Sequence, residues 1–244
     1  MIFLKMWGLI IVDINHQLAV RTLSVLINVT SSLNISGVPW EIIYSSTDPE
    51  EKHKHFMNGL KKYSTILFMD HGTSFNVNEL SSTPWQKSCS MLVLPSIKNV
   101  LDWERFRNTC MLDISEPLGQ RALVFDTQIN ENKRIPGEGT PLYSVVNSDA
   151  RVFLVECNSV LKKLKDKRGN IIQVPLKSTE WVRFLKERGV QIAAAVDIPC
   201  TNTIAYKCVS GLGKSNGLRI DAAPRPTSDA NQAPHVPSTT ANIG

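Results

Sequence analysis

The chain has 244 residues, 42% hydrophobic and 20% charged, with a net charge of +5. That composition supports a packed core, and with no basic stripe interleaved with aromatics it excludes nucleic acid as the leading partner. The five cysteines, Cys89, Cys110, Cys157, Cys200 and Cys208, are odd in number, widely spaced and form no CxxC. This excludes a disulfide framework or a thiolate zinc site and fits a reducing, cytoplasmic compartment, host cytoplasm if the source is viral.

The N-terminal "MIFLKMWGLIIVDIN" is apolar but interrupted by Lys5 and Asp13. It is expected to lead into a buried strand, not to act as a signal peptide or membrane span. Trp7–Asn15 reads as that strand, and Leu18–Leu33 carries apolar residues near helical spacing. "SGVP" at 36–39 breaks the chain before a short strand, Trp40–Tyr44. "SSTDPEE" predicts a helix start, with Pro49 in the first turn, acids at the positive end, and helix to about Lys62. Thr65–Met69 is the next strand, and Asp70 follows it. The sequons at Asn28 and Asn34 lie in or beside the first helix and read as chance matches. The lysines at 52, 54, 61 and 62, and those from 162 to 167 with Arg168, read as solvated helix faces.

Further on, Ser90–Leu94 is strand-like and ends at Pro95, and Asp102 caps a short helix to Asn108. The polar stretch Asp126–Pro141 reads as a mobile loop or loose hairpin. Leu142–Val146 and Val152–Val155 are strands, Asn158–Lys167 and Thr179–Arg188 are helices, and Gln191–Val196 is a strand followed by Asp197. From Asp221 to Gly244 the chain is rich in Pro, Ala, Ser and Thr and is expected to be a disordered tail behind one domain, 1–220. Strands apolar on both faces, alternating with helices, predict an α/β fold with a mostly parallel sheet covered on both sides. Ligands in such sheets bind beyond the carboxyl ends of the strands. Asp13, Asn15, Ser45, Ser46 and Asp70 are expected at that edge.

"CVSGLGKS" (Cys208–Ser215) ends like a phosphate-binding P-loop, but the position of its opening glycine falls on Cys208 and no sheet follows. Of the five histidines, His16 and His71 alone stand near strand ends. Asp13, Asp70 and Asp197 each end an apolar strand. Aspartate is a good turn residue, so each alone is ordinary, and three on one edge suggest a cleft.

The order of these pieces resembles the nucleotide-sugar glycosyltransferase family of GT-A fold, which is Rossmann-related. "FMNGLKKYSTILFMDHGTSF" resembles the family's helix and strand leading to an Asp-x-Asp motif. "MLVLPSIKNVLDW" is similar to its following strand with Pro95, Lys98, Asp102 and Trp103 in place. "PLYSVVNSDARVFLVECNSVLKKL" and "FLKERGVQIAAAVDI" are similar to its later strands and helices, so the likeness covers residues 7–205. The resemblance implies transfer of a sugar from a nucleotide-diphosphate sugar to an acceptor, glycan or protein. It implies Asp70 and Asp197 as catalytic residues. Asp13, Asn15, Lys98 and Asp126 would bind the donor, and Asp70 would hold Mn²⁺ or Mg²⁺ against the diphosphate.

The chain departs from the pattern where the second acid falls on Gly72, where Arg151 stands for a frequent glycine, and where Tyr206 stands near a frequent metal-binding histidine. Three readings follow. The chain is an active transferase, in which Lys98 neutralises phosphate. Or it is a degenerate GT-A-like binding or structural module, needing no metal and suited to a viral or other large assembly. Or it is another α/β protein binding phosphate through "GLGKS".

Overall fold

A computed structural model describes residues 6–13, 17–112, 121–136, 141–198 and 200–202, with Asn99 described by its backbone alone. These fall in one compact unit, Met1–Ala205. The expected domain end at 220, the tail 221–244, "GLGKS" and Asn15 lie outside the described residues.

In chain order the elements are β1 (Trp7–Val12), α1 (Val20–Ile35), β2 (Trp40–Ser45), α2 (Pro49–Lys62), β3 (Thr65–Met69), β4 (Thr73–Phe75) and α3 (Val77–Ser81). There follow β5 (Met91–Val93), β6 (Ile97–Leu101), α4 (Trp103–Thr109), β7 (Leu123–Phe125), β8 (Thr127–Ile135) and β9 (Leu142–Ser148). The series closes with β10 (Val152–Glu156), α5 (Cys157–Leu164), α6 (Trp181–Glu187), β11 (Ile192–Ala195) and β12 (Cys200–Asn202). The local signals act as expected at α2. Asp48 caps it by accepting from the Glu51 N–H at 3.0 Å, with Pro49 in the first turn and Lys61 and Lys62 in the last.

Eight strands form one mixed sheet in the order β2-β1-β3-β10-β5-β11-β9-β8. β2, β1 and β3 pair in parallel, as do β5 and β11. β10 runs against both of its neighbours, β3 and β5, and β9 runs against β11. The stretch 126–141, expected as a loop or loose hairpin, contains a paired strand, because β8 binds β9 antiparallel with two register shifts. β8 sits at the sheet edge and is mostly exposed, so no apolar alternation marks it.

Helices cover both faces, and the strand period of two sorts the core. Ile10, Val12, Ile66, Phe68, Phe153 and Val155 point to the layer with α2, α5 and α6. Leu9, Ile11, Leu67, Met69, Val152 and Leu154 point to the layer with α1 and α3. Gly8, mid-strand in β1, has a packing reason: a Cβ there would lie 2.3 Å from the Tyr63 ring. Among the described residues no helix is long and apolar enough to cross a membrane.

The described cysteines, Cys89, Cys110, Cys157 and Cys200, are free thiols. Burial pushes the Cys89 and Cys157 thiols up from 9.0 to about 12, helped at Cys157 by the Glu156 charge. A group raised in the fold contributes stability that is complete below its unfolded value and is lost as pH rises through the folded one. Urea unfolding should therefore show a stability loss that begins near pH 9 and continues toward about 12. In Cys157→Ser the loss over that window should be shallower. An identical pH slope in variant and parent would contradict the assignment.

Candidate functional site

β1 and β3 run side by side with Ile11 opposite Met69, so Asp13 and Asp70 leave the sheet at one edge. β10 runs the other way, with Val152 opposite Met69, and so delivers the residue before it, Arg151, to that same edge. The Asp70 N–H donates to the Arg151 carbonyl at 2.9 Å. Arg151 returns two bonds: Nε donates to Asp70 Oδ2 at 3.2 Å and Nη2 to the His71 carbonyl at 3.0 Å. The guanidinium thereby locks the turn after β3.

A second ion pair lies beside it. Lys98 Nζ on β6 donates to Asp149 Oδ2 at 2.7 Å. Asp126 ties these pieces to the end of β5. Its buried carboxylate accepts from the Ser96 N–H at 3.0 Å, the Ser96 hydroxyl at 2.5 Å and the Thr127 hydroxyl at 2.8 Å. Its backbone carbonyl accepts from the Asp149 N–H at 2.8 Å. Lys52, half-buried on α2, completes the set, and among the described residues its ammonium has no partner.

Together Lys52, Asp70, Lys98, Asp126, Asp149 and Arg151 line a cavity of about 330 Å³. It lies at the low end of small-ligand pocket sizes. Three cations face three carboxylates there. A larger cavity, about 590 Å³, lies where β1 and β3 begin, against Trp7, Ser64, Thr65 and Glu156. It offers a carboxylate and no cation, which does not suit a phosphate. Cys200 lies near the charged cluster, its thiol pushed up to about 12 first by burial and then by the Asp126 charge, with Arg151 acting the other way. It is a neutral thiol at pH 7, not a nucleophile.

The sequence-expected residues distribute unevenly. Asp70, Lys98 and Asp126 meet at the cavity. Asp13 is buried one residue past β1, its N–H donating to the Ser45 carbonyl at 2.9 Å, and does not line it. Asp197 occupies an exposed turn after β11, away from the cavity lining. Arg151, Asp149 and Lys52 were not expected there. Lys52 belongs to a helical run that reads as solvated, and Arg151 reaches the edge because an antiparallel strand begins there.

The described residues do not fit a divalent metal. Asp70 is already bound by a guanidinium, and Gly72, at φ +79°, offers no side chain while its N–H donates to Thr22 Oγ1 at 3.1 Å. Among the described residues no three His, Cys, Asp or Glu side chains gather as a metal group. Mg²⁺ and Mn²⁺ favour oxygen-rich coordination, and the three cavity carboxylates are each held by other groups: Asp70 by Arg151, Asp149 by Lys98, and Asp126 by Ser96 and Thr127.

No protein-family model matches the chain, and no curated protein sequence matches it. Among solved structures it is similar to A197 from STIV, at 11% identity and TM-score 0.45, over 81% of this chain and 85% of that one. It is similar to the catalytic domain of Drosophila beta1,4galactosyltransferase 7, at 15% identity and TM-score 0.38, over 82% of this chain and 68% of that one. It is also similar to HddC from Yersinia pseudotuberculosis, at 8% identity and TM-score 0.42, over 80% and 92%.

Proposed function

We propose that the chain is a glycosyltransferase-like domain that takes a nucleotide-diphosphate sugar at this strand edge and passes the sugar to an acceptor, glycan or protein, in the cytoplasm. The observation that carries the reading is the convergence of Lys52, Lys98 and Arg151 on one cavity beside the end of β3. A departing nucleoside diphosphate gains negative charge, and fixed cations aimed at it lower the barrier. The sequence order of the pieces supports the same reading.

Thermal unfolding with uridine and guanosine diphosphate sugars tests it. A ligand at 100 times its Kd stabilises by about 2.7 kcal/mol, so the midpoint should climb with concentration for the right donor. A flat response to every common sugar nucleotide, with and without Mn²⁺, overturns the reading.

A second reading, a degenerate binding or structural module, is favoured by one observation. Each carboxylate on the cavity is already engaged: Asp70 by Arg151, Asp149 by Lys98, and Asp126 by Ser96 and Thr127. A base toward an acceptor hydroxyl would have to share its carboxylate with the partner already bound there. Binding of a sugar nucleotide with neither hydrolysis nor transfer in mass spectrometry would select this module. A stable large assembly on size exclusion would support it further.

A further inference from the structure

We propose that Arg151, Lys98 and Lys52 clamp the diphosphate without a divalent cation, and that Asp70 is a positioning residue that aims Arg151, not a metal ligand. The proposal deepens the donor-binding reading and rests on its placing of the diphosphate in the cavity these residues line.

The guanidinium has two usable edges. One edge, Nε with Nη2, is spent on the Asp70 carboxylate and the His71 carbonyl. Among the described residues the N–H groups of Nη1 have no partner, and Nη2 keeps a second proton. That free edge is the fork that matches two oxygens of one phosphate. The spent edge is what fixes the plane of the fork, so Asp70 acts on a ligand through Arg151. Lys98 uses one of its three protons on Asp149 and keeps two. Lys52 uses none on a side chain and comes from α2, so the three cations reach the cavity from different elements.

A divalent ion at Asp70 would stand against the guanidinium charge and would need that ion pair broken first. The three cations already supply the positive charge that the metal brings in the Asp-x-Asp arrangement. Because three carboxylates offset them, affinity should be modest and should fall with salt, since these side chains are partly solvated. Prior pairing of Arg151 and Lys98 limits the side-chain freedom lost on binding.

Titration calorimetry on the full chain tests this, using inorganic pyrophosphate and then uridine and guanosine diphosphates, in EDTA and in Mn²⁺. Pyrophosphate should bind in EDTA, more weakly at higher salt, and Mn²⁺ added in place of EDTA should not tighten it. Arg151→Ala should weaken it by about tenfold to a hundredfold, the loss of a charge-assisted bond. Arg151→Lys, which keeps the charge and loses the fork, should recover part of that. Lys52→Ala removes no side-chain hydrogen bond or ion pair among the described residues and should weaken binding with little change in thermal stability, which separates a ligand role from a structural one. Asp70→Asn should weaken pyrophosphate with the fold retained by circular dichroism. Binding that appears only with Mn²⁺ overturns the clamp and leaves the donor reading standing. Pyrophosphate bound in EDTA with no nucleotide diphosphate bound upholds the clamp and overturns the donor reading. No pyrophosphate binding in EDTA, or parental affinity in both Arg151→Ala and Lys52→Ala, overturns the clamp. An Asp70→Asn variant that binds as tightly as the parent overturns the positioning role.

Discussion

Trp181→Ala is expected to cost about 3–5 kcal/mol, the range for deleting a buried indole. The ring is fully buried at the start of α6 and stacks on Phe56 with centroids 4.3 Å apart and planes 15° apart. It meets Phe68 and Phe153 edge-on, at 5.6 and 6.2 Å. Its Nε1 donates to the Pro175 carbonyl at 2.6 Å, so alanine also strips that acceptor. These rings come from α2, β3, β10 and α6 and hold one helical layer to the sheet. At about 2–4 °C per kcal/mol for a domain of this size, the melting midpoint should fall by about 10 °C. Trp181→Phe, which keeps most of the stacking, should lose much less. A midpoint for Trp181→Ala within a degree or two of the parent would contradict this account.

Asp126→Ala is expected to cost about 3 kcal/mol, because it strips a charged acceptor from three donors in a dry setting. Ser96 is fully buried, Thr127 is nearly so, and the Thr127 hydroxyl is also bonded to Ser148 at 2.7 Å. Alanine leaves the Ser96 N–H and hydroxyl without their partner. Asp126→Asn keeps one acceptor oxygen and should cost about 1 kcal/mol. The damage should reach the cavity as well, since the Asp126 backbone holds Asp149 and Asp149 holds Lys98. Chemical denaturation and pyrophosphate titration on the same samples check both effects. A stable Asp126→Ala variant with parental affinity would show that the cluster is dispensable.

Much of the architecture is legible in the sequence where burial is strong. The runs at Leu9–Val12, Ile66–Met69 and Val152–Val155 read as buried strands because each is short, apolar and followed or preceded by turn residues, and Asp48 with Pro49 and Lys61 with Lys62 mark both ends of α2. β8 escapes because an exposed edge strand needs no apolar face, so "TQINENKRI" carries a loop's composition. The site is legible by half for a related reason. The rule that ligands meet the carboxyl ends of parallel strands brings Asp70 forward, but says nothing of residues that begin a reversed strand. Arg151 is such a residue, and only the pairing of β10 with β3 puts it beside Asp70. Asp197 obeys the strand-end rule and still faces solvent, since the rule places the backbone and not the side chain.

The reversed strand also dictates an order of events during synthesis. β3 and β5 each pair with β10 and not with each other. A nascent chain that has just emitted β5 therefore holds two strand groups with no joint between them. Asp70 waits for Arg151, 81 residues downstream. Such distant partners slow folding, and until they meet, the apolar edge of β3 is open to strands of other chains. A ribosome stalled before Val152 would release a polypeptide prone to aggregate. The seam between β3 and β10 is also the one that brings Arg151 to Asp70, so the site cannot form before that seam closes.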